Sequence, residues 1–255
     1  MVALIALGVI GLLSFTTESA LGFGDAVVMT CLGAQFAPLP VALPAFIPLS
    51  FLLSTWLLSR NLRFIAWRVL AVELAPPVGA GMAVGLAIFH LPAQRWFLLA
   101  FALFVVGLAA LELRRGARAD GGDVAPLRTR TGIALYVLGG VVHGLYGCGG
   151  PLIVYVLKRR LTDKSRFRAT LTLLWMVLDV ALVVNYATSD LYTPAVQRAM
   201  IAIGIAIAPG LALGEYLHAR LDAKRFERVV WSLLLVAGAA LAIRAALGFA
   251  IADAS

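Results

Sequence analysis

Two glycine-rich breaks, each set inside an apolar run, constrain this chain more than any other feature. The longer is His143-Gly144-Leu145-Tyr146-Gly147-Cys148-Gly149-Gly150-Pro151. Its echo near the N-terminus is Glu18-Ser19-Ala20-Leu21-Gly22-Phe23-Gly24-Asp25. Laying one on the other pairs Gly22 with Gly147, Gly24 with Gly149, Asp25 with Gly150 and Glu18 with His143. Glycine-interrupted hydrophobic segments at matching places in two halves of a membrane protein point to a substrate site.

The surroundings of the breaks are membrane-like. Hydrophobic residues make up 62% of the chain and charged ones 13%, against about 45–50% and about 25% in a soluble domain. Several runs reach the roughly 20 residues needed to cross a bilayer. The net charge of +8 does not imply nucleic acid, because the basic residues lie in short loops between apolar runs, where orientation signals belong. The two cysteines, Cys31 and Cys148, form neither a disulfide framework nor a CxxC pattern. No Lys or Arg precedes Arg60, so residues 1–21 lack the charged start of a signal peptide.

The apolar segments are Val2–Thr17, Ala26–Phe36, Val41–Ser59, Trp67–Phe89 and Pro92–Leu113, then Thr131–Tyr146, Pro151–Leu157, Ala169–Ala187, Pro194–Leu217 and Phe226–Phe249. A polar linker divides them, giving a first transmembrane repeat over 1–113, a cytoplasmic linker over 114–130 and a second repeat over 131–255. The halves match again at Gly81-Met82-Ala83-Val84-Gly85 and Gly210-Leu211-Ala212-Leu213-Gly214. Small residues at that spacing let helix backbones approach closely in lipid, so helix packing is expected there.

Positive charges gather in Arg60–Arg68, Arg114–Arg130, Lys158–Arg168 and Arg220–Arg228. If every segment beside a break crossed fully, these loops would change sides between the halves, against the positive-inside rule. If each break is the tip of a re-entrant hairpin of two half-length helices, all four loops are cytoplasmic. The expectation is therefore an all-α integral membrane protein of two inverted-topology repeats, each with about three spanning helices and one glycine-broken re-entrant hairpin. The N-terminus would be periplasmic, and Arg244 is left near the wrong face.

A broken helix exposes the N–H groups and positive dipole end of its second half, and glycine lets an anion approach that backbone. The expected substrate contacts are Gly22, Phe23, Gly24 and Asp25 at the first tip and Gly147, Cys148, Gly149 and Gly150 at the second. Asp25 opposes an anion and is expected to cap the following helix. Glu18 and His143, at equivalent positions, would pair if the tips meet. Ionisable groups at membrane depth often relay protons, so Glu18, His143, Glu73 and Asp179 are the candidate relay or gating residues. Asn185 and Glu215 are further candidate cavity-lining or tie residues. Neither a bound metal nor a cofactor is expected.

The paired breaks, the basic turn from Arg60 to Arg68 and the Gly-x3-Gly helices together resemble the TauE/SafE family of sulfite exporters. The resemblance spans nearly the whole chain, and Gly147-Cys148-Gly149-Gly150-Pro151 matches its motif well. Asp25 stands where the family pattern has glycine. What the resemblance implies is a secondary transporter in the bacterial inner membrane, taking sulfite, sulfonates or related sulfur-containing anions. Lipid and a homodimer partner are the other expected contacts. Absence of a G-x4-G-K-[ST] run leaves gradients as the energy source, with proton-coupled export as the expected mode. An uptake permease for another small anion, a membrane enzyme and an assembly factor are the alternatives. His90, His143 and His218 lie on separate segments without zinc-protease spacing, which disfavours the enzyme.

Overall fold

The computed structural model describes residues 1–89, 94–118, 129–220 and 223–252, which form α-helices with one 3-10 and one π-helical turn and, among these residues, no β-strand. The first half holds α1 (Val2–Leu21), α2 (Asp25–Gly33), α3 (Leu39–Ser59), a π-helical turn (Val69–Leu74) running into α4 (Ala75–Phe89), and α5 (Gln94–Arg118). The second holds α6 (Thr129–Tyr146), α7 (Gly150–Leu157), α8 (Lys164–Thr188), α9 (Pro194–Gly204), α10 (Ile207–Arg220) and α11 (Ala223–Ala252). Among the described residues five helices are long and apolar enough to cross a membrane, or six if the bent pair α9–α10 is one span. Outward faces carry large apolar side chains such as Ile5, Val72, Ile201 and Val236, as lipid requires.

Each expected break ends a helix by the same device. Gly22 takes φ +81° and donates its N–H to the Glu18 carbonyl at 2.6 Å; Gly147 takes φ +65° and donates to the His143 carbonyl at 2.7 Å. This left-handed C-cap suits glycine because it has no Cβ. The residues that the sequence alignment paired thus hold paired backbone roles. Beyond each cap the chain doubles back. A Cβ on Gly24 would approach Thr17, and one on Gly33 would approach Leu7, so α2 retraces α1. In the same way, Gly149 abuts Gly139 and Gly132 faces Val156, so α7 retraces α6.

The arms of each hairpin are unequal, which corrects the half-length expectation. At ~1.5 Å per residue, α1 and α6 extend roughly 30 and 27 Å, while α2 and α7 extend only roughly 13 and 12 Å. Two other expectations also change. The run Pro194–Leu217 is not one helix but α9 and α10, bent by 40°. The basic loop Lys158–Arg168 is partly helical, because Asp163 caps α8 by accepting the Arg166 N–H at 2.7 Å. Part of the 114–130 linker, 119–128, lies outside the described residues, as does His90.

Glycines close the contacts between the halves. A Cβ on Gly81 would lie 2.0 Å from the Val137 carbonyl oxygen, and one on Gly140 2.1 Å from that of Val78, so α4 and α6 touch backbone to backbone. Gly210 and Gly214 of α10 press likewise on Phe15 and Ser19 of α1. The matched Gly-x3-Gly pairs are packing devices, as expected. Each half therefore holds the long hairpin arm of the other.

Arg244 of α11 is explained by what it reaches. Its guanidinium donates to the carbonyl of Ala34, the C-cap of α2, at 2.5 Å. A cation there satisfies an orphan carbonyl and the negative dipole end of a short buried helix. Arg244→Ala is expected to cost about 1.5–3 kcal/mol, the range for a hydrogen bond from a charged group. Arg198→Ala removes only a bond from an exposed side chain to Pro194 in its own helix and should leave the melting temperature in detergent nearly unchanged. Equal melting temperatures for the two variants would refute the capping role.

Candidate functional site between the two helix breaks

Both tips reach one buried cavity of about 20 Å³, lined by residues of α2, α3, α6, α7 and α8 and of the two breaks. From the breaks come Gly24, Asp25, Gly147, Cys148 and Gly150, and from the surrounding helices Ile47, Ser50, His143, Trp175 and Asp179. The tips are tied to their surroundings by polar bonds. Trp175 Nε1 donates to the Gly22 carbonyl at 3.1 Å, and Thr30 Oγ1 donates to the Tyr146 carbonyl at 3.2 Å. Ser50 and Trp175 lie near the middle of α3 and α8, so the tips sit level with the centres of those helices.

The first N-terminus at the cavity, that of α2, is acidic. Asp25 is the first residue of α2 and Gly24 is its cap, without a side-chain hydrogen bond. Asp25 is thus not the cap that the sequence suggested. Its carboxyl accepts from Ser50 Oγ at 2.8 Å. Ser50 also approaches Glu18 Oε2 at 3.4 Å, and Ser54 donates to Glu18 Oε1 at 2.5 Å. Glu18 and Asp25 are both buried. A serine hydroxyl has one proton to donate, so Ser50 serves one carboxyl at a time and links the two.

The second N-terminus, that of α7, carries no charge of its own. Gly150 opens the helix with Pro151 behind it, where a missing N–H costs nothing. A Cβ on Gly149 would lie 2.0 Å from the Gly139 carbonyl oxygen, whereas one on Gly150 would meet only Trp175, at 3.8 Å. The two glycines have different reasons to be there: Gly149 permits α7 to touch α6, and Gly150 keeps the cavity wall bare.

His143 does not meet Glu18 as the sequence reading expected. It faces Asp179, with Nε2 and Oδ1 3.7 Å apart. That is ion-pair reach but too long for a hydrogen bond, and neither ring nitrogen has a hydrogen-bond partner among the described residues. The imidazole stacks on Trp175, ring centroids 5.6 Å apart. Glu73 lies elsewhere. It sits in the π-helical turn, bonds Arg160 at 2.9 Å, and lines a separate groove with Tyr136 and Arg159. Phe23 is buried near the first tip without lining the cavity. Asn185 is half-buried with an unpartnered Nδ2, and Glu215 is exposed on α10. Cys31 and Cys148 are free thiols, both buried. Among the described residues no group of three or more His, Cys, Asp or Glu is placed to hold a metal ion.

Sequence reasoning missed Ser50, Ser54 and Trp175 as site residues. The available signal was spacing: serines four apart in a proline-broken apolar helix, and Trp175 four residues before Asp179, each pair on one helix face.

The family model for the sulfite exporter TauE/SafE matches residues 7–241, a span that contains both breaks and the whole cavity. The chain belongs to the TauE/SafE family. Among curated proteins it is 26% identical over 183 residues to the probable inner membrane transporter protein TsaS of Comamonas testosteroni, an alignment covering 71% of this chain and 74% of that one. No solved structure matches the chain. For this TauE/SafE protein the cavity is where, among the described residues, both breaks, a buried histidine and buried acids converge.

Proposed function

We propose that this TauE/SafE protein is a secondary-active inner-membrane transporter that moves sulfite or small organosulfonate anions by alternating access around the cavity between the two tips. Coupling is to protons and the direction is export. The carrying observation is that cavity itself: two helix N-termini, from α2 and α7, open on one buried space that also holds His143 and Asp179. Backbone N–H groups and positive dipole ends favour an oxyanion. The bare Gly147–Gly150 side is the better cradle, and its substrate contacts are Gly147, Cys148, Gly149 and Gly150. Gly24 and Asp25 line the opposing wall, and Gly22 and Phe23 complete the first tip behind it. Glu18, Asp25, His143 and Asp179 handle the proton.

The repeats are inverted, with the basic loops cytoplasmic and the N-terminus periplasmic. Several contacts support the inversion. Ala66, just past the end of α3, donates its N–H to Thr170 near the start of α8, at 3.0 Å. Further along, both Ile47 of α3 and Leu182 of α8 approach Gly147. The two long helices therefore run in opposite senses past the second tip. Alternating access follows from rocking one half against the other.

Transport is tested in proteoliposomes with sulfite, sulfoacetate, taurine, sulfate and chloride, with and without a pH gradient. Movement of a sulfur oxyanion that accelerates with the gradient is the expected result. A folded protein that moves none of them would overturn the proposal, and accumulation driven inward would favour an uptake permease.

A further inference from the structure

We infer that Arg168 forms a second anion subsite on the cytoplasmic side of the first tip, where a sulfur oxyanion is held before it passes Trp175 into the central cavity. The inference rests on the transport reading above and on its cytoplasmic placement of the loop that leads into α8.

Arg168 lies in the first turns of α8, and its stem packs on the first break. A Cβ on Gly22 would lie 2.9 Å from Arg168 Cγ and 3.5 Å from its Cα, so the glycine that caps α1 also admits the arginine. Its Nε and Nη2 are buried yet have no hydrogen-bond partner among the described residues. Both atoms are obligate donors, and a buried donor left unpaired is costly. They call for an acceptor, and a guanidinium fork matches an oxyanion with two oxygens. The acids that act on this charge are Glu215 of α10 and Glu18 of α1.

The place in the fold gives the subsite its role. Trp175 stands seven residues further along the same helix, roughly 10 Å away. Its indole donates to the carbonyl of the same Gly22 that Arg168 packs on, and its ring stacks on His143. Trp175 therefore separates Arg168 from the cavity, which Trp175 lines and Arg168 does not. An anion at Arg168 waits outside that barrier. Displacing the indole from the Gly22 carbonyl would open the way inward.

The test compares sulfite transport in inside-out and right-side-out membrane vesicles carrying the wild type, R168K and R168Q. R168Q should raise KM at the cytoplasmic face at least tenfold, with KM at the opposite face within twofold of wild type. R168K should fall between the two, because a lysine keeps the charge and loses the fork. A cytoplasmic-face KM within twofold of wild type for R168Q overturns the inference while leaving transport itself standing. Equal loss at both faces, carried by kcat, assigns Arg168 a structural role and also overturns it. Should R168Q fail to fold, R168K decides: a cytoplasmic KM raised threefold or more supports the subsite, and an unchanged one sinks it. A wild type that moves no sulfur oxyanion ends both this inference and the parent reading.

Discussion

Gly149→Ala is expected to cut transport at least tenfold and to destabilise the protein by about 1–3 kcal/mol, the usual range for overpacking. Its Cβ would fall 2.0 Å from the Gly139 carbonyl oxygen and 2.9 Å from the His143 Cβ. The first of these is backbone in the facing helix, which has no rotamer by which to yield. The return arm α7 must lift away from α6, and the bare N-terminus of the second tip moves with it. Gly150→Ala is the internal control. Its nearest neighbour would be Trp175 at 3.8 Å, an ordinary contact, and its melting temperature should stay close to wild type. Melting in detergent and sulfite flux in proteoliposomes are the two readouts. If the two alanines behave alike, the close approach of the arms does not hold the site.

His143→Gln and Asp179→Asn are each expected to slow transport tenfold or more and to flatten its dependence on pH. The two groups face one another in a buried site, and neither ring nitrogen is engaged in a hydrogen bond among the described residues. Ionisable groups facing one another at membrane depth are costly and are commonly kept for proton movement. Removing one member of a buried pair also leaves the other uncompensated, which typically costs about 3–5 kcal/mol. The double variant should therefore be less damaged than the sum of the singles, since residues in contact do not add. The measurement is initial flux across a pH series for all four proteins, with folding checked by melting. Full retention of the wild-type pH profile in H143Q would remove the proton role from this histidine.

The breaks were legible because each is a local backbone event. Gly22 and Gly147 must adopt positive φ, and glycine marks that need wherever it occurs. The matched Gly-x3-Gly pairs were legible for a similar reason, since close helix contact leaves small residues at fixed spacing. Partnership across the fold was not legible. His143 pairs with Asp179 because α8 passes the second tip, while Glu18 is held by Ser50 and Ser54 of α3. No spacing in the chain encodes which helix will pass which tip. Single serines and a tryptophan inside apolar helices look like ordinary membrane residues until their neighbours are known. The α9–α10 bend was missed because the run stays apolar through it. Glu73 was misjudged differently: it lies in a locally deformed helix, but its partner Arg160 draws it to the other groove.

The size of the central cavity has a consequence for the proposed cycle. At about 20 Å³ it holds about one water molecule, less than a sulfur oxyanion occupies and far too little for a continuous file of water. Protons cross proteins quickly along such files, and this cavity by itself supplies none. On the proposed function the space between the tips must widen before an anion can occupy it, so this arrangement is one that substrate has yet to open.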